Sequence, residues 1–213
     1  MGREKKNREI EVKLRVQDVD RLLARLKAIG AKRIGRVFEE NTLFDTDDGA
    51  FRKREAILRL RREQKLGLAD ERRQKRRRRA GMPRSGILTF KGLLEGRRAA
   101  KAKYKEREEI EYRIRDAIRF ETVLRRIGMR ICFQYEKYRT KYGAEPYPGL
   151  NFDLDETPIG AFLELEGPGR QIDRAAKAPG YSPDEYITAS YLELYVAERT
   201  RRGGKFGDMT FKK

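Results

Sequence analysis

Residues of alternating character recur with period two through most of this chain, which confines it to a β-rich architecture whose strands have two chemically different faces. In Arg8 to Val16, Ile10, Val12 and Leu14 share one face, and Glu9, Glu11 and Lys13 share the other. The same pattern predicts strands at Val37 to Asp45, Ala56 to Glu63, Ile87 to Lys91, Tyr104 to Ile114, Ile131 to Tyr142, Asn151 to Asp155 and Phe162 to Glu166, eight with the first. Helices are the minority. Asp18 to Ile29 reads as an amphipathic helix with Asp18 as its cap and Gly30 as its stop, and shorter helices are expected at Asp116 to Ile127 and Thr188 to Arg199.

The polar faces of these strands carry ordered charge. Arg59 and Arg61 share a face, Lys91 ends the fourth strand, and Arg107 aligns with Glu109 and Glu111. Lys137 aligns with Arg139, Asp153 with Asp155, and Glu164 with Glu166. A sheet with one wet face explains any single strand. It explains the set less well, because the eight carboxylates and seven cations segregate by strand instead of mixing as cross-strand ion pairs would. Closing the strands into a barrel offers another arrangement, with apolar faces under outer helices and charged faces lining an interior too polar to be dry. The expected fold class is therefore α+β, mostly antiparallel β: a closed eight-stranded antiparallel β tunnel with helices packed outside.

Such a lumen is stable only if its charges meet partners, since unpaired buried ions cost several kcal/mol each. Carboxylate clusters without histidine or cysteine suit hard cations such as Mg²⁺ or Mn²⁺, and rings of Lys and Arg suit phosphate oxygens. A polyphosphate chain bridged to divalent metal satisfies both. Eight acids against seven bases leave −1; two divalent ions add +4, and a triphosphate of about −4 returns the site to near neutrality.

Composition narrows the chemistry further. The chain has 213 residues, 52 Lys+Arg against 34 Asp+Glu, and a net charge of +18, which implies an anionic partner, substrate or surface. Two thirds of that excess falls in Lys65 to Arg84 and Arg97 to Lys105, and Arg72 to Arg79 holds seven Lys/Arg in eight positions. That run cannot join a core and reads as a solvated loop or hairpin tip, with nucleic-acid binding as its alternative role. With no histidine, Ser-His and Cys-His triads and imidazole metal sites are excluded, and the single Cys132 excludes an internal disulfide and a multi-cysteine zinc site. No apolar run is long enough for a bilayer span, and a cytoplasmic protein without membrane association is expected. The chain reads as a single domain over residues 1–200 with a basic insertion at about 65–85, followed by a basic C-terminal tail at 201–213. Its oligomeric state is open between monomer and homodimer.

Glu9-x-Glu11-x-Lys13 is followed in order by the paired arginines, Phe90-Lys91-Gly92, Arg107-x-Glu109-x-Glu111, Lys137-x-Arg139, Leu154-Asp155 and Phe162-x-Glu164-x-Glu166. Together these elements resemble the CYTH family of triphosphate tunnel metalloenzymes, which includes class IV adenylate cyclases, thiamine triphosphatases and inorganic tripolyphosphatases. The Asn41 to Thr46, Leu154 to Gly160 and Ser190 to Leu194 stretches look most like bacterial and archaeal class IV cyclase-type members. The resemblance implies Glu9, Glu11, Glu164 and Glu166 as metal ligands, with Glu109, Glu111, Asp153 and Asp155 as further candidates. It assigns Lys13, Arg59, Arg61, Lys91, Arg107, Lys137 and Arg139 to the triphosphate, and Lys13, Glu11 and Glu166 to direct catalytic roles. It also implies Mg²⁺ or Mn²⁺, two ions, acting on ATP, thiamine triphosphate or tripolyphosphate. The activity expected first is conversion of ATP to cyclic AMP and pyrophosphate. Hydrolysis of a terminal phosphate is the alternative within the family, and non-catalytic binding of polyphosphate or RNA through the basic insertion is the alternative outside it.

Overall fold

The computed structural model describes residues 8–67, 82–94 and 103–211. Most of the basic insertion, including Arg72 to Arg79, lies outside the described residues. The eight strands are β1 (Arg8–Val16), β2 (Lys32–Asp45), β3 (Ile57–Lys65), β4 (Gly86–Gly92), β5 (Lys105–Ile114), β6 (Arg130–Gly143), β7 (Asn151–Thr157) and β8 (Gly160–Glu166). They close in the order β1-β5-β4-β3-β2-β6-β7-β8, every pair antiparallel. The expected tunnel is the observed fold. No helix among the described residues is long and apolar enough to cross a membrane.

Because alternate residues of a strand point to opposite faces, the register fixes what meets inside. Lys13 stands opposite Glu164, Glu164 opposite Asp153, and Asp153 opposite Lys141, a continuous inward row across four strands. The apolar core lies outside this row. Val12, Leu14, Phe152, Leu154, Leu163 and Leu165 face outward into one cluster with Leu22 and Leu26 of α1 (Val19–Ala28). A second outer cluster joins Phe44 and Leu60 to Ala117 and Leu124 of α3 (Ala117–Arg126). Asp18 and Asp116 cap α1 and α3 by accepting from the backbone N–H three residues on, which fixes where each helix leaves the sheet.

Three departures from the sequence expectation have identifiable causes. β2 begins at Lys32 instead of Val37, because a bulge between Arg33 and Gly35 breaks the alternation and leaves Ile34 72% exposed. The one-turn α2 (Ala50–Lys53) is organised by Asp45, whose carboxylate accepts from the backbone N–H groups of Thr46, Phe51 and Arg52. Its four residues are too short for a periodic signal. α4 (Gly169–Lys177) buries Ile172, Ala175 and Ala176 against the outer cluster, an amphipathic spacing that the period-two alternation of the strands does not report. The last helix, α5 (Tyr191–Arg201), starts at a capping box in which Ser190 and Glu193 satisfy each other's backbone N–H groups.

Ile172 is fully buried and ties α4 to the outer faces of the strands. Ile172→Ala is therefore expected to destabilise the fold by about 2–5 kcal/mol, whereas Ile34→Ala at the exposed bulge should change stability by under about 0.5 kcal/mol. Urea denaturation of both variants checks this pair.

Candidate active site

The inward faces enclose a cavity of about 270 Å³. Seven of the eight expected carboxylates line it, namely Glu9, Glu11, Glu109, Glu111, Asp153, Glu164 and Glu166, together with six of the seven expected cations, Lys13, Arg59, Arg61, Lys91, Lys137 and Arg139. Asp155 lies behind this lining, fully buried, where it accepts hydrogen bonds from Lys137 Nζ at 2.7 Å, Arg139 Nε at 2.7 Å and the Tyr191 hydroxyl at 2.7 Å. It orients the two bases. Arg107 stands outside the lining group, and its guanidinium lies 3.6 Å from Glu55.

Charges at the centre of the lumen are closely paired. Arg139 reaches Asp153 at 3.0 Å and also bonds Asp155 and Glu164. Lys13 Nζ bridges Glu11 at 2.9 Å and Glu164 at 3.1 Å. Glu39, absent from the sequence-based set, is fully buried beneath them, 3.6 Å from Lys137, 3.7 Å from Arg61 and 3.8 Å from Arg139. Burial opposes ionisation of Glu39, but Lys137, Arg61 and Arg139 outweigh it and hold the carboxyl well below the usual range. Glu164 follows the same pattern, with Arg139, Lys13 and Lys137 overcoming burial. Lys13 is likewise opposed by burial, but Glu11 and Glu164 keep it charged far above its ordinary value.

Toward the end of the lumen where β1 begins and β8 finishes, the balance changes sign. Lys91 sits between Glu9 at 2.6 Å and Glu109 at 3.1 Å, and Lys105 lies 2.9 Å from Glu11. Glu166, opposite Glu11 in the register, has no hydrogen-bond or ion-pair partner among the described residues. Burial, then the charges of Glu9, Glu109 and Glu11 acting against Lys91, push its carboxyl up to about 7. Burial and Glu11 likewise raise Glu9 against the pull of Lys91. Negative charge is thus in excess at this mouth.

No group of three carboxylates is gathered around one point among the described residues, because Lys91, Lys105 and Lys13 occupy the spaces between them. The donors nevertheless fit a hard divalent cation. They are all carboxylate oxygens, and the unpartnered Glu166 marks a local excess of negative charge that such an ion would relieve.

Besides Glu39, sequence reasoning passed over Lys105, Lys141, Tyr135 and Tyr191, all of which line the cavity. Lys105 precedes the Arg107-Glu109-Glu111 run on the same strand face and was available from alternation. Tyr191 was not, because it comes from a helix. Arg15, the next inward position of β1 after Lys13, places its guanidinium 4.7 Å from the centre of the Phe162 ring.

An antiparallel barrel with a charged interior and an outer apolar shell defines a β-tunnel protein with a polar lumen. The chain belongs to the CYTH domain family, whose model matches residues 7–179. A Methanocaldococcus jannaschii protein named "Putative adenylate cyclase MJ0240" is 27% identical over 196 residues, spanning 87% of this chain and 97% of that one. The PH1819 protein of Pyrococcus horikoshii OT3 has the same fold, with a TM-score of 0.69 at 22% identity over 90% of this chain and 99% of that one. A Hippeastrum protein, "Putative adenylyl cyclase HpAC1", described as having a dominant triphosphatase activity, matches with a TM-score of 0.59 at 19% identity over 93% and 97% of the two chains.

Removing Glu39 takes one buried counter-charge from each of Lys137, Arg61 and Arg139, so Glu39→Ala should cost about 3–5 kcal/mol in urea denaturation. The pH dependence has a definite sign. Glu39 and Glu164 bind a proton less readily in the folded chain than at their ordinary value of 4.5, so the unfolded chain protonates first as pH falls. Their stabilisation is present above that value and is lost below it, so the urea midpoint should fall as the pH is lowered from about 4.5 toward about 3.

Proposed function

We propose that this chain is a divalent-cation-dependent enzyme that hydrolyses the terminal phosphate of a triphosphate held in its lumen. The observation that carries the proposal is the cavity of about 270 Å³ ringed by Lys13, Arg59, Arg61, Lys91, Lys137 and Arg139. Small-molecule sites commonly span about 300–1,000 Å³, so this volume suits a short phosphate chain better than a whole nucleotide. The six cations are fixed by neighbouring carboxylates and can exchange part of that pairing for phosphate oxygens without moving far. Lys13 remains an ammonium throughout, since Glu11 and Glu164 hold its proton, and its role is electrostatic rather than that of a base. Arg139 and Lys137, braced from behind by Asp155, present preorganised positive charge to the phosphate chain.

Glu9, Glu11, Glu164 and Glu166 would hold the cation, which when bound supplies charge neutralisation at the transferring phosphoryl group and lowers the pKa of water. The carboxylates themselves exclude a second anion from the mouth and orient whatever enters along the lumen. Cyclisation of ATP is the second reading, supported by the name carried by the Methanocaldococcus jannaschii relative, which this chain matches over 97% of that protein's length. The two reactions need the same phosphate grip and differ in whether water or the ribose hydroxyl attacks.

Purified protein given tripolyphosphate, thiamine triphosphate or ATP with Mg²⁺ or Mn²⁺ should release orthophosphate, and EDTA should abolish turnover. Cyclic AMP with pyrophosphate from ATP would favour the second reading, and turnover in EDTA would overturn the cation dependence. Glu11→Gln should lower kcat by roughly 10²–10³-fold, the scale expected for one preorganised electrostatic contact. Glu166→Gln should remove the rise in melting temperature that Mg²⁺ or Mn²⁺ gives the unaltered chain, measured by thermal denaturation without substrate.

A further inference from the structure

The four carboxylates proposed to hold the cation are not equally available. Glu9 pairs with Lys91 at 2.6 Å, and Glu164 pairs with Lys13 at 3.1 Å and with Arg139. Glu166 has no such partner among the described residues. At Glu11 a single oxygen, Oε1, accepts from both Lys13 Nζ and Lys105 Nζ, each at 2.9 Å. The contact with Lys105 is built into the sheet, because β1 and β5 set the two residues directly opposite each other and both line the lumen.

The bases around these acids differ in what they keep. Lys91 bridges Glu9 and Glu109, Lys13 bridges Glu11 and Glu164, and Arg139 holds Asp153, Asp155 and Glu164. Each of these three retains a carboxylate when another turns to a cation. Lys105 does not. Its ion pair among the described residues is with Glu11 alone, its side chain is 11% exposed, and the positive charges of Lys13 and Lys91 act on it as well. A buried ammonium deprived of its counter-charge is costly, so Glu11 is held back from a cation while Lys105 has no other anion to meet.

We infer that Lys105 is a built-in competitor for the cation at Glu11, and that a phosphate chain lifts the competition by offering Lys105 a new anionic partner. This deepens the hydrolase reading and rests on it. Lys105 lines the same cavity as Lys13, Arg59 and Lys91, and its flexible four-carbon stem lets the ammonium pass from Glu11 Oε1 to a phosphate oxygen while the backbone stays in the sheet. The released carboxylate keeps Lys13 as its partner. Cation and phosphate chain are thus coupled through one lysine, and linkage makes the coupling reciprocal: each binds better once the other is in place. An empty lumen keeps Glu11 engaged and takes up a cation poorly.

The test measures Mn²⁺ binding without phosphate, from the electron paramagnetic resonance signal of free Mn²⁺, in the full chain and its variants. Lys105→Met and Lys105→Gln leave Glu11 paired with Lys13 and strand no carboxylate, and their folds are checked by circular dichroism. Both should bind Mn²⁺ at least about tenfold more tightly than the unaltered chain. Lys105→Arg keeps the charge and should stay within about threefold of the unaltered chain. Lys141→Met, which removes a positive charge from the same cavity but no ion pair of Glu11, should also stay within about threefold. Unchanged or weaker Mn²⁺ binding in the two neutral Lys105 variants, equal tightening in Lys141→Met, or no binding in any chain would overturn the competition. In EDTA, calorimetry should show tripolyphosphate binding to Lys105→Met at least about tenfold more weakly than to the unaltered chain. Equal binding, or none to the unaltered chain, would overturn the transfer of Lys105 to phosphate. Orthophosphate release by the unaltered chain with Mg²⁺ separates the two failures: its presence leaves the hydrolase reading in place whatever Lys105 does, and its absence overturns both.

Discussion

Everything in this protein depends on the mutual neutralisation of charges that have lost their water. Glu39, Asp155, Lys137 and Arg139 are all nearly or fully buried, and none could remain ionised alone at an acceptable cost. Their pairing makes a charged barrel interior tolerable, and a charged interior forces the apolar residues of the same strands outward. The helices follow from that inversion. α1, α3 and α4 cover outward-facing Val12, Leu14, Phe44, Leu60 and Leu163, and they are the other half of a core that most small barrels keep inside.

Charge is graded along the lumen. Near Asp155 and Glu39 each carboxylate has two or three basic neighbours, and Glu39 and Glu164 are held strongly ionised. Near Glu9 and Glu166 the acids outnumber their partners, and both carboxyls are pushed upward. A ligand carrying only negative charge would be repelled at that mouth, and one carrying only positive charge would find its best partners taken further in. The gradient suits a ligand that presents both signs, as a phosphate chain with a divalent cation does.

Much of this was legible in the sequence, because strand alternation reports directly on which side chains share a face. Eight strands, the two capped helices and most of the lumen lining follow from that single periodicity. What escaped it did so for specific reasons. Glu39 sits beside Glu40 on a strand whose inward positions, Glu39, Asn41 and Leu43, mix charge, amide and hydrocarbon, so no like-charge pair announces the face. Asp155 was correctly placed on the inner side of β7, but alternation cannot tell a residue that lines a cavity from one that braces the lining. α4 is amphipathic, with Ile172, Ala175 and Ala176 on its buried face, and it escaped because alternation with period two does not report a helical stripe. Tyr191 belongs to no strand, and its place among lumen residues depends on backbone ties from Ile187 and Met209 that no local pattern records.

The pairing of β1 with β8 also bears on how the chain folds. Val16 meets Ala161 and Glu11 meets Glu166, so the seam that completes the cylinder joins segments separated by most of the sequence. Entropy disfavours such a closure until the intervening strands are in place, which makes it a late event. Before it happens, the charged face of β1 is hydrated and Lys13 has no Glu164 beside it; afterwards both are dry and paired. Dehydration of the ion network and completion of the sheet are then one kinetic step, with no stage at which a half-built barrel holds its interior charges in isolation.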